Sequence, residues 1–396
     1  MTMSAVSGPK RPHLAVIVAI STLQPFALNV LAPATPGMAR SLQTDYATVQ
    51  LTLTLYLVAV AVTQLVVGPV SDRVGRRPCV IAGCVLFVLG SLLGAVASDI
   101  GTLLLSRVIQ AVGGGTCFAL ARAIIRDTAS KDEAASLIGY VTMAMVVSPM
   151  VAPLVGGFLD ARFGWRSIFV ATLVLALGVT IAGVLLLRET APKTGDSTLS
   201  GILRTVPALA ADRAFIGYTL ALSFIISAFF SFVAGAPYVV VEFMGRNPDV
   251  YGFYFAINAG GYMVGNFLSG RYGQRIGSER LARSGVMISL FSVTLELIWV
   301  ALLPWNPASL FLPLTLNAIG NGIMIPGGTA SALSVRPDLA GTASGLLGAA
   351  QLGFAALSST IVGFLVPIWP PFLIVAMMIC VLLSWLALSL TRPARF

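Results

Sequence analysis

The stretch Gly68-Pro69-Val70-Ser71-Asp72-Arg73-Val74-Gly75-Arg76-Arg77-Pro78 decides how this sequence folds. It lies between two apolar segments, residues 48–68 and 79–97, each with the roughly 20 residues that a helix needs to cross a bilayer. Its four charges are too costly for the hydrocarbon layer, so the stretch must be a loop at the membrane surface. Its glycines allow a tight turn and a close approach of the helices. A charged loop between two spans predicts a polytopic membrane protein.

The composition agrees with this prediction. The 396 residues are 57% hydrophobic and 10% charged, and the mean hydropathy is +0.93. Soluble domains carry roughly 25% charged residues, so this chain has too few to cover a water-facing surface. The net charge of +9 is dispersed between apolar stretches rather than gathered into a patch, which fits loops facing anionic lipid and argues against nucleic-acid binding.

The residue types also argue against an enzyme. His13 is the only histidine and precedes the first span, so no histidine-based catalytic constellation is possible. The four cysteines lie in apolar runs without metal-site or redox spacing. We therefore expect no metal and no bound cofactor. We also expect no removable signal peptide, since the first apolar stretch is long enough to span.

Twelve apolar stretches are long enough to cross the membrane, six on either side of a polar segment. The polar segment, residues 188–212, predicts a cytoplasmic linker between an N-terminal bundle, 1–187, and a C-terminal bundle, 213–396. We thus expect an all-α membrane protein with two six-helix bundles. The predicted helices are 13–36, 48–68, 79–97, 102–124, 135–158, 166–187, 213–238, 250–270, 281–303, 308–333, 341–366 and 370–391.

The basic residues predict the orientation. With the N-terminus inside, the outer loops keep only Arg40, Arg162, Arg166 and Arg246, and most other lysines and arginines fall on the inner side. Because basic residues concentrate in cytoplasmic loops, both termini are predicted to be cytoplasmic.

The two halves of the sequence also repeat each other. Residues 72–77 recur in degraded form at 274–280, and residues 108–115 are echoed at 315–322. The members of each pair lie in matching predicted positions, after helices two and eight and in helices four and ten. Duplicated halves predict a substrate site between them, near the middle of the membrane.

The loop after the second predicted helix resembles a motif of a known family. Residues 68–78 look like the loop signature of the major facilitator superfamily, and this resemblance implies a latch of the outward-facing state. We expect Asp72 to cap a facing helix, helix eleven near Gly341, and Arg73 to pair with Asp127. The alternative is a loop that only fixes topology. The expected gating residues are Gly68, Asp72, Arg73, Gly75, Arg76, Arg77 and Asp127.

A second motif, residues 105–115, is similar to the helix-four motif of the same superfamily. The resemblance ties Arg107 to proton coupling or substrate binding, with Gln110 beside it. A charged side chain one and a half turns inside the membrane is costly and usually functional. The alternative is an arginine that snorkels to the outer interface.

A third motif, residues 148–157 in helix five, is similar to the antiporter motif that marks exporters in the superfamily. Pro149 and Pro153 bend the helix, and Gly156 and Gly157 permit close contact with a neighbour. The alternative is an ordinary kinked helix, because proline and glycine are common in membranes.

The motifs together with residues 29–36 and 122–127 resemble the bicyclomycin/chloramphenicol-resistance (Bcr/CflA) group of drug:proton antiporters. Members of that group commonly carry an aspartate where this chain has Asn29. An amide does not titrate, so either a different carboxylate carries the proton, or transport is weakly coupled and is driven by the substrate gradient or the membrane potential. Glu296 is the only acid well inside a predicted span, and we expect it to be the proton carrier, an interface residue, or a residue paired with a polar group of a neighbouring helix.

Aromatic and amide side chains in the predicted spans suggest a pocket for amphipathic, weakly charged compounds. Fewer than half of them are expected to touch substrate. The candidates are Phe26, Asn29, Tyr56, Gln64, Gln110, Phe229, Phe230, Tyr254, Asn258, Tyr262, Asn317, Asn321 and Gln351.

The sequence as a whole predicts a monomeric exporter in the bacterial inner membrane, which exchanges protons for small amphipathic drugs or metabolites by alternating access. One alternative is an exporter dedicated to a single metabolite, such as an amino acid or sugar derivative. Another is a nutrient importer that works by proton symport, against which the proline-rich helix five argues.

Overall fold

The computed structural model describes residues 13–128, 131–190 and 206–391. Within them the regular structure is helical, with twelve long helices that match the twelve predicted spans. The helices are α1 Leu14–Val30, α2 Tyr46–Val74, α3 Arg76–Ala95, α4 Ile100–Thr128, α5 Lys131–Phe163, α6 Arg166–Leu186, α7 Arg213–Tyr238, α8 Pro248–Ile276, α9 Ser278–Leu302, α10 Pro307–Ser334, α11 Ala340–Leu365 and α12 Phe372–Ser389.

Short irregular helices extend two of the spans. A 3₁₀ turn, Ala32–Ala34, and a short helix, Thr35–Ser41, continue α1, and a π-helical turn, Val239–Phe243, continues α7. Prolines at the first positions of the two short helices interrupt the regular hydrogen bonding of α1 there. A second 3₁₀ turn, Pro337–Leu339, precedes α11.

Ten of the described helices are long and apolar enough to cross a membrane. The two other long helices are α5 and α8, of 33 and 29 residues, and they pack against each other. The chain is thus a multi-pass membrane protein. We call the end of the bundle that the basic residues predict to be cytoplasmic the inner end, and the opposite end the outer end.

The packing repeats with an offset of six helices, as the sequence repeat predicts. In the first half α3 packs on α4 and α6, α2 on α4, and α1 on α5; in the second half α9 packs on α10 and α12, α8 on α10, and α7 on α11. The halves meet where α2 packs on α11 and where α8 packs on α5. These two contacts are equivalent, because α8 and α11 are the counterparts of α2 and α5 in the second half. This confirms two pseudo-symmetric six-helix bundles.

Glycines at matching places explain the second sequence repeat. A Cβ added at Gly113 of α4 would lie 2.4 Å from the carbonyl oxygen of Gly83 in α3. A Cβ added at Gly320 of α10 would lie 2.7 Å from the carbonyl oxygen of Gly285 in α9. No Cβ fits at such distances, so both motifs serve a helix contact that only glycine permits.

Candidate functional site

The predicted loop cluster assembles at the inner end of the first half. Gly75, with φ +109°, separates α2 from α3 and lets the chain turn sharply. Arg76 follows and is buried, and its guanidinium lies 2.6 Å from the carboxylate of Asp72 and 2.9 Å from that of Asp127. One arginine therefore bridges the end of α2 to the end of α4.

The predicted pair between Arg73 and Asp127 is wrong, because Arg76 occupies that place. Arg73 lies in the last turn of α2 and is exposed, whereas the left-handed turn at Gly75 directs Arg76 toward α4. The predicted contact of Asp72 with the start of α11 stays a prediction, since the side-chain surroundings of Gly341 lie outside the described residues.

Glu189 completes the cluster and was not predicted. It follows α6 and accepts hydrogen bonds from the backbone N–H of Arg76 at 2.8 Å and of Arg77 at 3.2 Å. It thereby satisfies the first N–H groups of α3, where an anion is favoured. The Arg77 guanidinium donates in turn to the carbonyls of Leu187 and Val184. The cluster thus ties α2, α3, α4 and α6 together at one end.

Arg107 forms a second polar centre, deep in the first half. Its side chain is 1% exposed, so it does not snorkel to the outer surface. One nitrogen donates to the carbonyl of Ala27 in α1 at 3.1 Å, and another donates to the side-chain oxygen of Gln110. The guanidinium carbon lies 4.1 Å from the ring centroid of Tyr56, in cation–π geometry.

A chain of hydrogen bonds fixes these partners of Arg107. Gln110 donates to the Ser91 hydroxyl at 2.9 Å, and Ser91 donates to the Phe87 carbonyl in α3 at 2.8 Å. The Tyr56 hydroxyl donates to the Gln24 carbonyl at 3.3 Å. Arg107 is therefore held in place by α1, α2 and α3 together.

A small cavity adjoins Arg107 where the two halves meet. Its volume is about 10 Å³, which is space for roughly one water molecule. Arg107 Nε, a buried donor on its wall, has no hydrogen-bond partner among the described residues, and the Gln50 side chain lies within hydrogen-bond reach of the Tyr46 hydroxyl. The lining residues are Leu28, Leu31, Ala32, Thr35, Gln50, Thr52, Leu53, Arg107 and Val233.

Tight contacts between the halves lie toward the outer end. A Cβ added at Gly157 of α5 would lie 2.7 Å from the Pro248 carbonyl oxygen, and one added at Gly252 of α8 would lie 2.5 Å from that of Pro153. Gly156 meets the carbonyl of Val30 in α1 in the same way. The glycines of the predicted antiporter motif are therefore contact points of α5 with α1 and α8, beside the in-helix prolines Pro149 and Pro153.

Polar contacts also join the outer ends. Thr54 of α2 lies 2.8 Å from the Thr360 hydroxyl of α11, and Tyr46 donates to the Ala234 carbonyl of α7. Arg40 forms an ion pair with Glu242 across the halves. The sequence did not predict these contacts, because they join residues from about 190 to 310 positions apart, and only the folded bundles bring them together.

The predicted pocket residues divide between packing and the interface. Asn317 and Asn321 of α10 are buried and bond to each other at 3.0 Å, and Asn321 also accepts from Ser289 of α9, so they pack inside the second half. Tyr254 stacks on Phe311 with 5.4 Å between ring centroids. Tyr56 belongs to the Arg107 centre. Asn258 is buried, and Phe26, Gln64, Phe229, Tyr262 and Gln351 are half-buried.

Two further candidates lie in the spans. Asn29 is 2% exposed and donates to the Pro25 carbonyl at 2.9 Å, while its side-chain oxygen has no hydrogen-bond partner in the described part of the chain. Glu296 is 0% exposed, and neither carboxylate oxygen has a hydrogen-bond partner among the described residues. Its helix, α9, packs chiefly on α10 and α12, so Glu296 lies within the second half rather than beside Arg107.

The sequence profile of the Major Facilitator Superfamily matches residues 17–359. The chain belongs to this superfamily, so it is a membrane transporter and not an enzyme. The predicted fold and family are thereby confirmed.

Relatives in several bacteria are similar along nearly the whole chain. The uncharacterized MFS-type transporter YdgK of Bacillus subtilis is 32% identical over 362 residues, with 90% of each chain covered. Multidrug resistance protein D of Escherichia coli is 30% identical over 349 residues, with 87% of each covered. The bicyclomycin resistance protein homolog of Haemophilus influenzae is 28% identical over 374 residues, with 93% of each covered.

A solved structure shares the fold. It is that of a bacterial homolog of the human lysosomal transporter Spinster, in an inward-facing and unoccupied conformation. The TM-score is 0.67 at 16% identity, with 96% of this chain and 94% of the other covered.

Proposed function

We propose that this transporter exports small amphipathic compounds by alternating access, in exchange for protons that flow inward. The observation that carries this proposal is the Arg107 centre: a buried charge of the first half, beside a cavity to which both halves contribute. A site placed there is exposed to one side or the other when the halves rock about it.

The direction of transport is proposed from two features. Gly157 of the antiporter motif contacts α8 of the other half, so this motif lies where the halves must separate. Two of the relatives carry names that refer to resistance against multiple drugs or bicyclomycin, which is consistent with efflux. We place the transporter in the bacterial inner membrane with both termini cytoplasmic, because the basic residues favour that orientation.

Proton coupling rests on the buried acid Glu296. A carboxyl group inside a span without a hydrogen-bond donor or an ion-pair partner is costly as an anion, and such groups are usually functional. Asn29 does not titrate, so we assign the proton to Glu296. Arg107 would then act on the substrate, in the other half.

The test is transport in proteoliposomes that contain the purified protein and a pH-sensitive dye. The compounds are ethidium, chloramphenicol and bicyclomycin, each with and without an imposed pH gradient. We expect at least one compound to move against the proton flow and to change the internal pH in the direction of exchange. A pH change in the direction of symport would support the importer instead. No movement of any compound by folded protein would contradict drug efflux and favour an exporter dedicated to one metabolite.

A further inference from the structure

Two helices of the second half that pack on each other, α9 and α10, carry three buried polar atoms without a hydrogen-bond partner among the described residues. They are both carboxyl oxygens of Glu296 and the Nδ2 group of Asn317. The two side chains are 0% and 2% exposed, so bulk water does not reach them. An ionised carboxylate can only accept hydrogen bonds and an amide Nδ2 group can only donate, so the two groups are chemically complementary.

Hydrogen bonds between α9 and α10 fix the amide of Asn317. Its oxygen accepts from Asn321 Nδ2 at 3.0 Å, and the oxygen of Asn321 accepts in turn from the Ser289 hydroxyl at 3.1 Å. Asn321 lies one turn further along α10 than Asn317. The Nδ2 group of Asn317 is therefore left free and is turned away from Asn321.

Glu296 lies on the face of α9 that meets α10. Gly285, Ser289 and Ser292 all contact α10, and residue 296 continues their spacing of three and four positions. The sequence therefore places the carboxyl group in the same interface as the free amide of Asn317.

The register of the two helices directs Glu296 and Asn317 toward one point. The helices run antiparallel, joined by residues 303–306, and the Ser292 hydroxyl donates to the Pro313 carbonyl at 2.5 Å. Helical side chains lean over the preceding turn of their own helix. Glu296 therefore leans toward Ser292, and Asn317 leans toward Pro313. Because Ser292 and Pro313 are bonded to each other, the carboxyl group and the amide converge on this bond.

No charged residue other than Glu296 lies in the central turns of α8, α9, α10 or α12. The remaining charged residues of α8 and α9 lie within two turns of the helix ends. Cys380 is the only titratable residue of α12, and Tyr251 and Tyr254 of α8 meet α10 at Phe311. A neutral donor is thus the partner that this interface offers to an ionised Glu296.

We propose that the Asn317 amide donates a hydrogen bond to Glu296 when the carboxyl group is ionised, and so sets the pH at which this acid releases its proton. In the present structure the two groups are not bonded, and a buried acid without a donor is favoured in its neutral form. A hydrogen bond to the anion would lower the cost of ionisation. This inference rests on the proton exchange proposed above and adds a positioning residue to it.

The test is the titration of Glu296 in the full-length protein in lipid nanodiscs, without substrate. Infrared spectroscopy follows the C=O band of the protonated carboxyl group as the pH is raised, and Glu296→Gln identifies the band. In Asn317→Leu the anion loses this donor, so Glu296 should bind its proton about tenfold more tightly or better, as expected for one hydrogen bond to a charged group. The titration midpoint should therefore move by about one unit or more toward higher pH.

Further variants separate the donor from packing. Asn317→Asp keeps the oxygen that accepts from Asn321 but replaces the donor with a second acid, so the midpoint of Glu296 should also rise. Asn317→Gln keeps the donor on a longer side chain and should retain part of the wild-type behaviour. The matched control is Asn258→Leu, since Asn258 is a buried amide of the same half that belongs to α8. This control should leave the midpoint unchanged.

An unchanged midpoint in Asn317→Leu, or an equal shift in Asn258→Leu, would overturn the proposal. A Glu296 band that persists in the wild type up to the highest pH at which the protein stays folded would also overturn it, because Asn317 would then have no anion to bind.

Efflux of ethidium by the same variants separates this inference from the proposed function. If Asn317→Leu shifts the titration of Glu296 but not the pH dependence of efflux, Asn317 sets the titration and the assignment of the coupled proton to Glu296 is wrong. If pH-driven efflux requires Glu296 but its titration is the same in Asn317→Leu and the wild type, the coupling stands and the role of Asn317 is wrong.

Discussion

Among the described side chains, each half of the molecule buries one charged residue well inside a membrane-spanning helix, but the surroundings of the two residues differ. Arg107 of α4 contacts α1, α2 and its own helix, and its contact Gln110 is fixed by α3. Glu296 of α9 has no hydrogen bond from the described residues to either oxygen. A charge with several partners is held in one place and one form, whereas an acid without partners is held more cheaply in its neutral form. The halves therefore share a fold, and we propose that ligand binding takes place in the first and proton exchange in the second.

The largest expected effect comes from removing the fixed charge. Arg107→Ala should lower transport by roughly 30- to 150-fold, the equivalent of about 2–3 kcal/mol for the hydrogen bonds of a charged group. Arg107→Lys should retain part of the activity, because an ammonium keeps the charge but not the geometry. The measurement is the initial rate of efflux from proteoliposomes, with the amount of folded protein checked by gel filtration. Parental rates in the alanine variant would leave Arg107 with a packing role.

The inner cluster offers two arginines three positions apart with different surroundings. Arg76→Gln should impair transport strongly, because it leaves Asp72 and Asp127 without their shared partner, while membrane expression stays near normal. Asp72→Asn should act in the same direction. The matched control is Arg73→Gln, since Arg73 is exposed. Equal loss in Arg73→Gln and Arg76→Gln would show that the loop acts through its net charge alone and not through this bridge.

Introducing an acid in α1 should give the first half a titrating group as well. Asn29→Asp places a titrating group in α1, the helix whose Ala27 carbonyl accepts from Arg107. We expect the pH dependence of efflux to gain a second titration and its optimum to shift. The rate of efflux is measured between pH 5 and 9, with the wild type as reference. An unchanged profile would mean that position 29 does not take part in coupling.

The smallest effect is expected at the outer ion pair of Arg40 with Glu242. Exposed pairs contribute at most about 1 kcal/mol, and Arg40 is 61% exposed. A double-mutant cycle with Arg40→Gln and Glu242→Gln should therefore give a coupling below that value in thermal unfolding. A much larger coupling would indicate that this pair, rather than the glycine contacts of α5 with α8, holds the outer ends together.

Local properties of the sequence determine the spans, whereas contacts between distant helices determine the polar centres. The twelve helices, the duplicated halves and the burial of Arg107 follow from apolar length, motif spacing and the cost of charge in a membrane, all of which are local properties. Which arginine meets Asp127 is not local, because it depends on the positive φ of Gly75. Glu189 and Gln50 could not be found either, since their contacts join α6 to α3 and α2 to the other half. Asn317 and Asn321 were predicted in the pocket, because the sequence does not distinguish an amide that faces a ligand from one that bonds to another amide.

If Glu296 exchanges the proton while Arg107 stays charged, binding of substrate should release a proton from Glu296. The purified protein in weakly buffered detergent is mixed with substrate, and the released protons are followed with a pH indicator. We expect the wild type and Arg107→Lys to release protons at saturating substrate. We expect no proton release from Glu296→Gln, although this variant still binds substrate. Equal proton release from Glu296→Gln and the wild type would contradict the assignment of the proton to Glu296.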